Sequence, residues 1–132
     1  MYTHDYPRIA LAARWFVIVW FTVGGLGHFV ATDFFVSITP PWVAYPLEVV
    51  WLSGVLELAG AIGLLFPASR RWAGWGLLAL TLAVSPANLR MALEPELFPQ
   101  FNPVLLNLRL GLQLFLLACI VWGAGLLCKT AR

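Results

Sequence analysis

The chain has 132 residues, of which 61% are hydrophobic and 11% charged, with seven Trp and nine Phe. A soluble domain carries about a quarter of its residues as charges, so this composition excludes one and points to lipid. The net charge is only +2, and no basic stripe interleaved with polar contacts is present, which excludes nucleic acid as a partner.

Four apolar runs, at 9–31, 47–66, 72–92 and 104–127, are each about 20 residues long, enough for a helix to cross roughly 30 Å of hydrocarbon. The expected fold is all-α: a single domain over 1–132, an integral membrane four-helix bundle with antiparallel neighbours. The first run exceeds a signal-peptide core, and Phe29-Val30-Ala31 is no small-x-small cleavage site, so it counts as a span. In the link 32–46, Phe34, Phe35, Trp42 and Tyr45 surround Pro40-Pro41. So aromatic a link is expected on the membrane surface or folded over the bundle mouth. Glu48 follows Pro46 at the positive end of span two and reads as a surface cap. Pro67-Ala68-Ser69-Arg70-Arg71 reads as a short link, which makes spans two and three neighbours. Asn102-Pro103 opens span four, with Asn as the cap and Pro in the first turn.

Charge sets the orientation. Of the eight Lys and Arg, Arg8, Arg14, Arg70, Arg71, Lys129 and Arg132 fall on one side. Basic residues stay cytoplasmic, so both termini are expected there. Trp15, Trp72, Trp75 and Trp122 gather near the same boundary, where indole rings belong. The links 32–46 and 93–103 contain Asp33, Glu94 and Glu96 but no Lys or Arg. Cys119 and Cys128 lie nine residues apart on one helix, about 13 Å of rise, too far to bridge.

The remaining basic residues, Arg90 and Arg109, lie inside the outer ends of spans three and four. An ionisable group at that depth costs several kcal/mol unless it pairs or meets water. Span two carries Glu57 near the bilayer centre, on a face of Ser53, Gly54, Gly60 and Ala61 that permits close helix approach. Span three has Thr81, Ser85 and Asn88 at i, i+4 and i+7, with Pro86 between, and a second seam of Ala79, Ala83 and Ala87. Span four sets Arg109 and Gln113 on one face, with Asn107 turned elsewhere, and span one ends with His28. Arg109 is expected to extend toward Glu57 and neutralise it. His28, Glu57, Asn88, Arg109 and Gln113 are therefore the candidate ligand-binding residues. Two readings of this cluster compete: buried polar groups that only fix helix register, and a ligand pocket. No metal site is expected, because no second ligand accompanies His28 at metal-binding spacing. No nucleophile stands near a base on the same helix, so no catalytic residue is assigned.

A series of motifs runs along the chain, beginning with Gly24-x-x-Gly27-His28-Phe29, Asp33, Phe35 and Pro40-Pro41-Trp42. It continues through Ser53-Gly54-x-x-Glu57-x-x-Gly60, Pro67-x-x-Arg70-Arg71 and Pro86-Ala87-Asn88-x-x-Met91-Ala92. It ends with Arg109-Leu110-x-Leu112-Gln113 and Trp122. In these motifs and their order the chain resembles the DoxX family of small four-helix bacterial membrane proteins. Thr32 and Gly111 stand where relatives usually have Pro. The resemblance implies a cell inner membrane location and a redox-associated subunit whose outer-leaflet pocket accepts a quinone or similar lipophilic molecule. Arg109 and His28 would donate hydrogen bonds to carbonyl oxygens, with Asn88 and Gln113 orienting them. Glu57 would balance Arg109 or carry protons. The chain has no flavin, haem or iron–sulfur signature, so no resident cofactor is expected and electron transfer would need a redox partner protein. Two alternatives stand beside this one. The chain could be a scaffold or chaperone for another membrane protein, using its small-residue seams. It could also be a small-molecule transporter, which at one repeat-free unit would have to be a homo-oligomer.

Overall fold

The computed structural model describes residues 6–128. They form five α-helices and a short 3-10 turn: α1 (Tyr6–Val30), α2 (Thr32–Ile38), α3 (Pro46–Leu65), α4 (Pro67–Leu93), the turn Pro95–Leu97, and α5 (Pro103–Gly123). Among the described residues there is no strand. The four helices α1, α3, α4 and α5 are each long and apolar enough to cross a membrane, as in a multi-pass membrane protein. Lys129 and Arg132, two of the basic residues on which the expected orientation rests, lie outside the described residues.

Helix ends follow the chain's prolines. Pro46, Pro67 and Pro103 each occupy a first turn, where a missing N–H costs nothing. The Asn102 side chain accepts from Val104 N at 2.9 Å and caps α5. One expectation needs correction here. Residues 67–71 are not a link but the first turn of α4, and Phe66 alone, in extended conformation, joins α3 to α4. The polar side chains that resemble loop residues instead satisfy the free carbonyls at neighbouring helix ends. Ser69 Oγ donates to Gly63 O at 2.8 Å and Arg70 Nε to Leu64 O at 3.1 Å. Arg71 Nη1 reaches Gly125 O at 3.1 Å and Cys128 O at 3.0 Å, and Arg14 Nε reaches Gly123 O at 2.7 Å. Cations thus sit at the negative ends of the α3 and α5 dipoles. Span four also ends earlier than expected, at Gly123, followed by turns through Leu127.

The link 32–46 is half helix. Ala31 breaks α1, α2 follows, and Tyr45 adopts a left-handed conformation (φ 55°) to aim Pro46 into α3. α2 folds over the C-terminal end of α4 and the N-terminal end of α5, where Ile38 joins Met91, Phe98 and Leu106 in a small apolar layer.

The long helices close a ring. α1 packs on α3 and α5, and α4 packs on the same two. Lipid tails are as apolar as Leu, so such contacts rest on close packing. Glycines make the closest approaches. A Cβ on Gly54 would lie 2.8 Å from His28 Cβ and 3.1 Å from Gly25 O, and one on Gly60 would run into the Leu77 side chain. A larger apolar layer, including Val17, Phe21, Leu64, Leu77, Leu116 and Ile120, fills the basic end of the ring. Of the expected seam of Ala79, Ala83 and Ala87, only Ala87 packs on neighbouring elements, in the small apolar layer. Ala79 and Ala83 are exposed, and α4 meets α3 through Ala73 and Leu77 and α5 through Gly74. The bulk of Ala73 and Leu77 fits the gaps at Gly63 and Gly60, which fixes the rotation of α4.

Candidate functional site

Between the two apolar layers lies a cavity of about 640 Å³, lined by members of both. All five sequence-derived candidates, His28, Glu57, Asn88, Arg109 and Gln113, line it. They come from all four long helices and form two separate networks.

The first network joins α1 to α3. His28, 7% exposed, lies one turn before the end of α1, with its ring stacked on Phe35 of α2 at a centroid distance of 4.1 Å. Its Nδ1 is 2.8 Å from Val50 O. A carbonyl only accepts, so Nδ1 carries the hydrogen. Nε2 lies 3.4 Å from Glu57 Oε1. The other carboxylate oxygen, Oε2, is buried without a hydrogen-bond partner. Ser53 does not serve it, because its hydroxyl donates to Val49 O at 2.8 Å.

The second network joins α4 to α5 as a one-way chain of donors. Arg109 Nη2 donates to Asn88 Oδ1 at 3.2 Å, and Asn88 Nδ2 to Gln113 Oε1 at 2.6 Å. Gln113 Nε2 donates to Ser85 Oγ, which donates to Thr81 O at 2.9 Å. A guanidinium has five N–H donors. Asn88 takes one, and the others have no protein partner among the described residues.

The expected Arg109–Glu57 pair is not formed. α5 packs on α1 and α4, whereas α3 stands across the ring, so Glu57 meets His28 of its neighbour instead. Arg90, the other basic residue at depth, lies outside the cavity lining. It donates to Thr39 O at 3.0 Å, pairs with Glu94 Oε2 at 3.2 Å and lies over the Phe98 ring, anchoring the end of α2. Asn107 is exposed, away from both networks.

Three participants were not among the candidates. Ser85 and Thr81 extend the second network, and their i, i+4, i+7 spacing with Asn88 was the available signal. Gly24 is the third: a Cβ there would stand 3.1 Å from Glu57 Oε2. No pattern in the sequence marks that role.

The rest of the wall is mainly apolar, with Phe16, Trp20, Phe21, Leu112 and Leu116. Val19 and Val23 of α1 line the cavity yet are 58% and 66% exposed, and Leu112 of α5 is 38% exposed. The cavity is therefore open to the surface beside Val19, Val23 and Leu112. Among the described residues no three His, Cys, Asp or Glu side chains come together as a metal-ligand set.

A family model, described as a domain of unknown function (DUF8561), matches residues 17–124. The chain belongs to the DUF8561 family. The DUF8561 match includes every residue of both networks and the whole cavity lining except Phe16. No curated protein and no solved structure matches the chain.

Proposed function

We propose that this protein is an inner-membrane, redox-associated subunit that holds a quinone or similar lipophilic molecule in its polar cavity, as the DoxX resemblance implies. It forms an antiparallel four-helix bundle with both termini in the cytoplasm, and the cavity opens into the outer leaflet. The observation that carries this reading is the convergence of five polar side chains, from all four long helices, on one otherwise apolar cavity. Its volume of about 640 Å³ lies within the roughly 300–1,000 Å³ range of small-molecule sites. Its composition also matches such sites, with a mainly apolar wall and a few polar groups that fix orientation. Arg109 offers uncommitted N–H donors to a ring oxygen, and Asn88, Gln113 and Ser85 hold it in place. The second network holds the guanidinium while leaving N–H groups that no protein acceptor takes among the described residues, which supports a pocket over a purely structural cluster. With no redox cofactor signature of its own, the subunit exchanges electrons only through a partner protein.

Native mass spectrometry of the detergent-solubilised protein tests this reading. The expected spectrum contains a bound species of quinone size that is lost in a folded Arg109→Gln variant. An empty protein in stoichiometric complex with another membrane protein would overturn it in favour of the scaffold.

A further inference from the structure

Glu57, which lines the cavity, carries a buried acceptor that no group in the described protein satisfies. Nδ1 of His28 is committed to Val50 O, so the contact between Nε2 and Glu57 Oε1 needs one proton between the two atoms. Whether that proton rests on the imidazole or on the carboxyl, the pair is neutral in sum. In both cases Oε2 remains an acceptor, and it is buried with no donor. Leaving such a group unpaired is costly, so a donor that enters the cavity gains a strong hydrogen bond.

We infer that the cavity takes its ligand in the hydroxyl-bearing, reduced form, as a hydroquinone or related phenol whose O–H donates to Glu57 Oε2. This rests on the pocket reading above and adds the chemical form of the occupant. Charge selects a hydroxyl over an ammonium. The His28–Glu57 pair contributes no net charge while Arg109 contributes one positive charge, so a cationic ligand would meet repulsion and a neutral phenol does not. The aromatic wall of Phe16, Trp20 and Phe21 suits a ring. Gly24 adds no side chain beside Oε2. It lines the cavity beside Glu57, and any larger residue would put a Cβ 3.1 Å from Oε2, in the path of an incoming donor.

Anaerobic calorimetry on the detergent-solubilised full chain tests the inference with three probes: a decyl-substituted hydroquinone, the matching quinone, and the di-O-methyl ether of the hydroquinone. One hydrogen bond to a buried acceptor that is otherwise unpaired predicts that the hydroquinone binds roughly tenfold or more tighter than the other two. In Gly24→Ala the hydroquinone should fall to the affinity of its ether, while the quinone changes little. Equal binding of all three probes, or tighter binding of the quinone, overturns the hydroxyl assignment and leaves the pocket standing. A folded Gly24→Ala protein that keeps the full preference also overturns it. Failure of every probe to bind overturns the pocket and the assignment together. The comparison of probes on the unaltered protein stands whether or not the variant folds.

Discussion

Glu57 and Arg109 are the two charges nearest the middle of the protein, and each is held by a different neighbour. Glu57 meets His28, whereas Arg109 meets Asn88. The distinction has a thermodynamic signature. Residues that share a contact couple by about 0.5–3 kcal/mol, and residues without shared partners add within about 0.5 kcal/mol. A double-mutant cycle of His28→Gln with Glu57→Gln, read from unfolding in detergent, should show coupling of about 1–3 kcal/mol. The cycle of Glu57→Gln with Arg109→Gln should be additive. Stronger coupling in the second cycle than in the first would reverse the assignment. That these residues belong to one cavity was legible in the sequence, because polar groups at membrane depth must find each other or water. Which of them pair was not. Pairing depends on which helices are diagonal in the ring, and no spacing within a single helix contains that information.

Among the elements, the boundaries of α4 show how local chemistry can mislead. Ser69, Arg70 and Arg71 resemble a basic loop in composition, yet they are helical, and their side chains reach back to carbonyls at the ends of α3 and α5. The capping partners are distant in sequence for Arg14 and Arg71, so only the assembled protein reveals why those residues lie where they do. The small face of α3 was more readable, since glycine in a span has few uses other than close approach. Gly60 faces Leu77 without room for a side chain, while Gly76 has open space around it. Gly60→Leu should therefore lower the melting temperature in detergent by several degrees, as expected for overpacking of about 1–3 kcal/mol. Gly76→Ala should leave it unchanged or raise it, because Ala is the better helix former by about 1 kcal/mol. Equal effects of the two substitutions would mean that the α3–α4 contact is not as tight as described.

At the scale of the whole molecule, four spans were readable because length and hydropathy suffice to define them. The helix α2 was not, since its Phe34 and Phe35 suit a membrane-surface loop equally well. Its role emerges only with Met91, Phe98 and Leu106 beneath it. The described basic residues that bond to backbone carbonyls also split by end. Arg14, Arg70 and Arg71 cap helices at one end, and Arg90 bonds the α2 terminus at the other. The proposed topology predicts that a periplasm-active phosphatase fused after Arg132 is silent, while the same reporter inserted in 93–103 is active. The opposite pattern would invert the protein in the membrane.

For the proposed ligand, the opening of the cavity beside Val19 and Val23 also determines how occupancy should be measured. Val19 and Val23 stand exposed along a membrane-crossing segment, so an apolar molecule arriving there comes from the acyl chains and not from water. The relevant concentration is then the molar ratio of ligand to lipid. Adding empty vesicles at constant protein and total ligand would drain the cavity, whereas diluting the whole suspension with buffer would leave it filled.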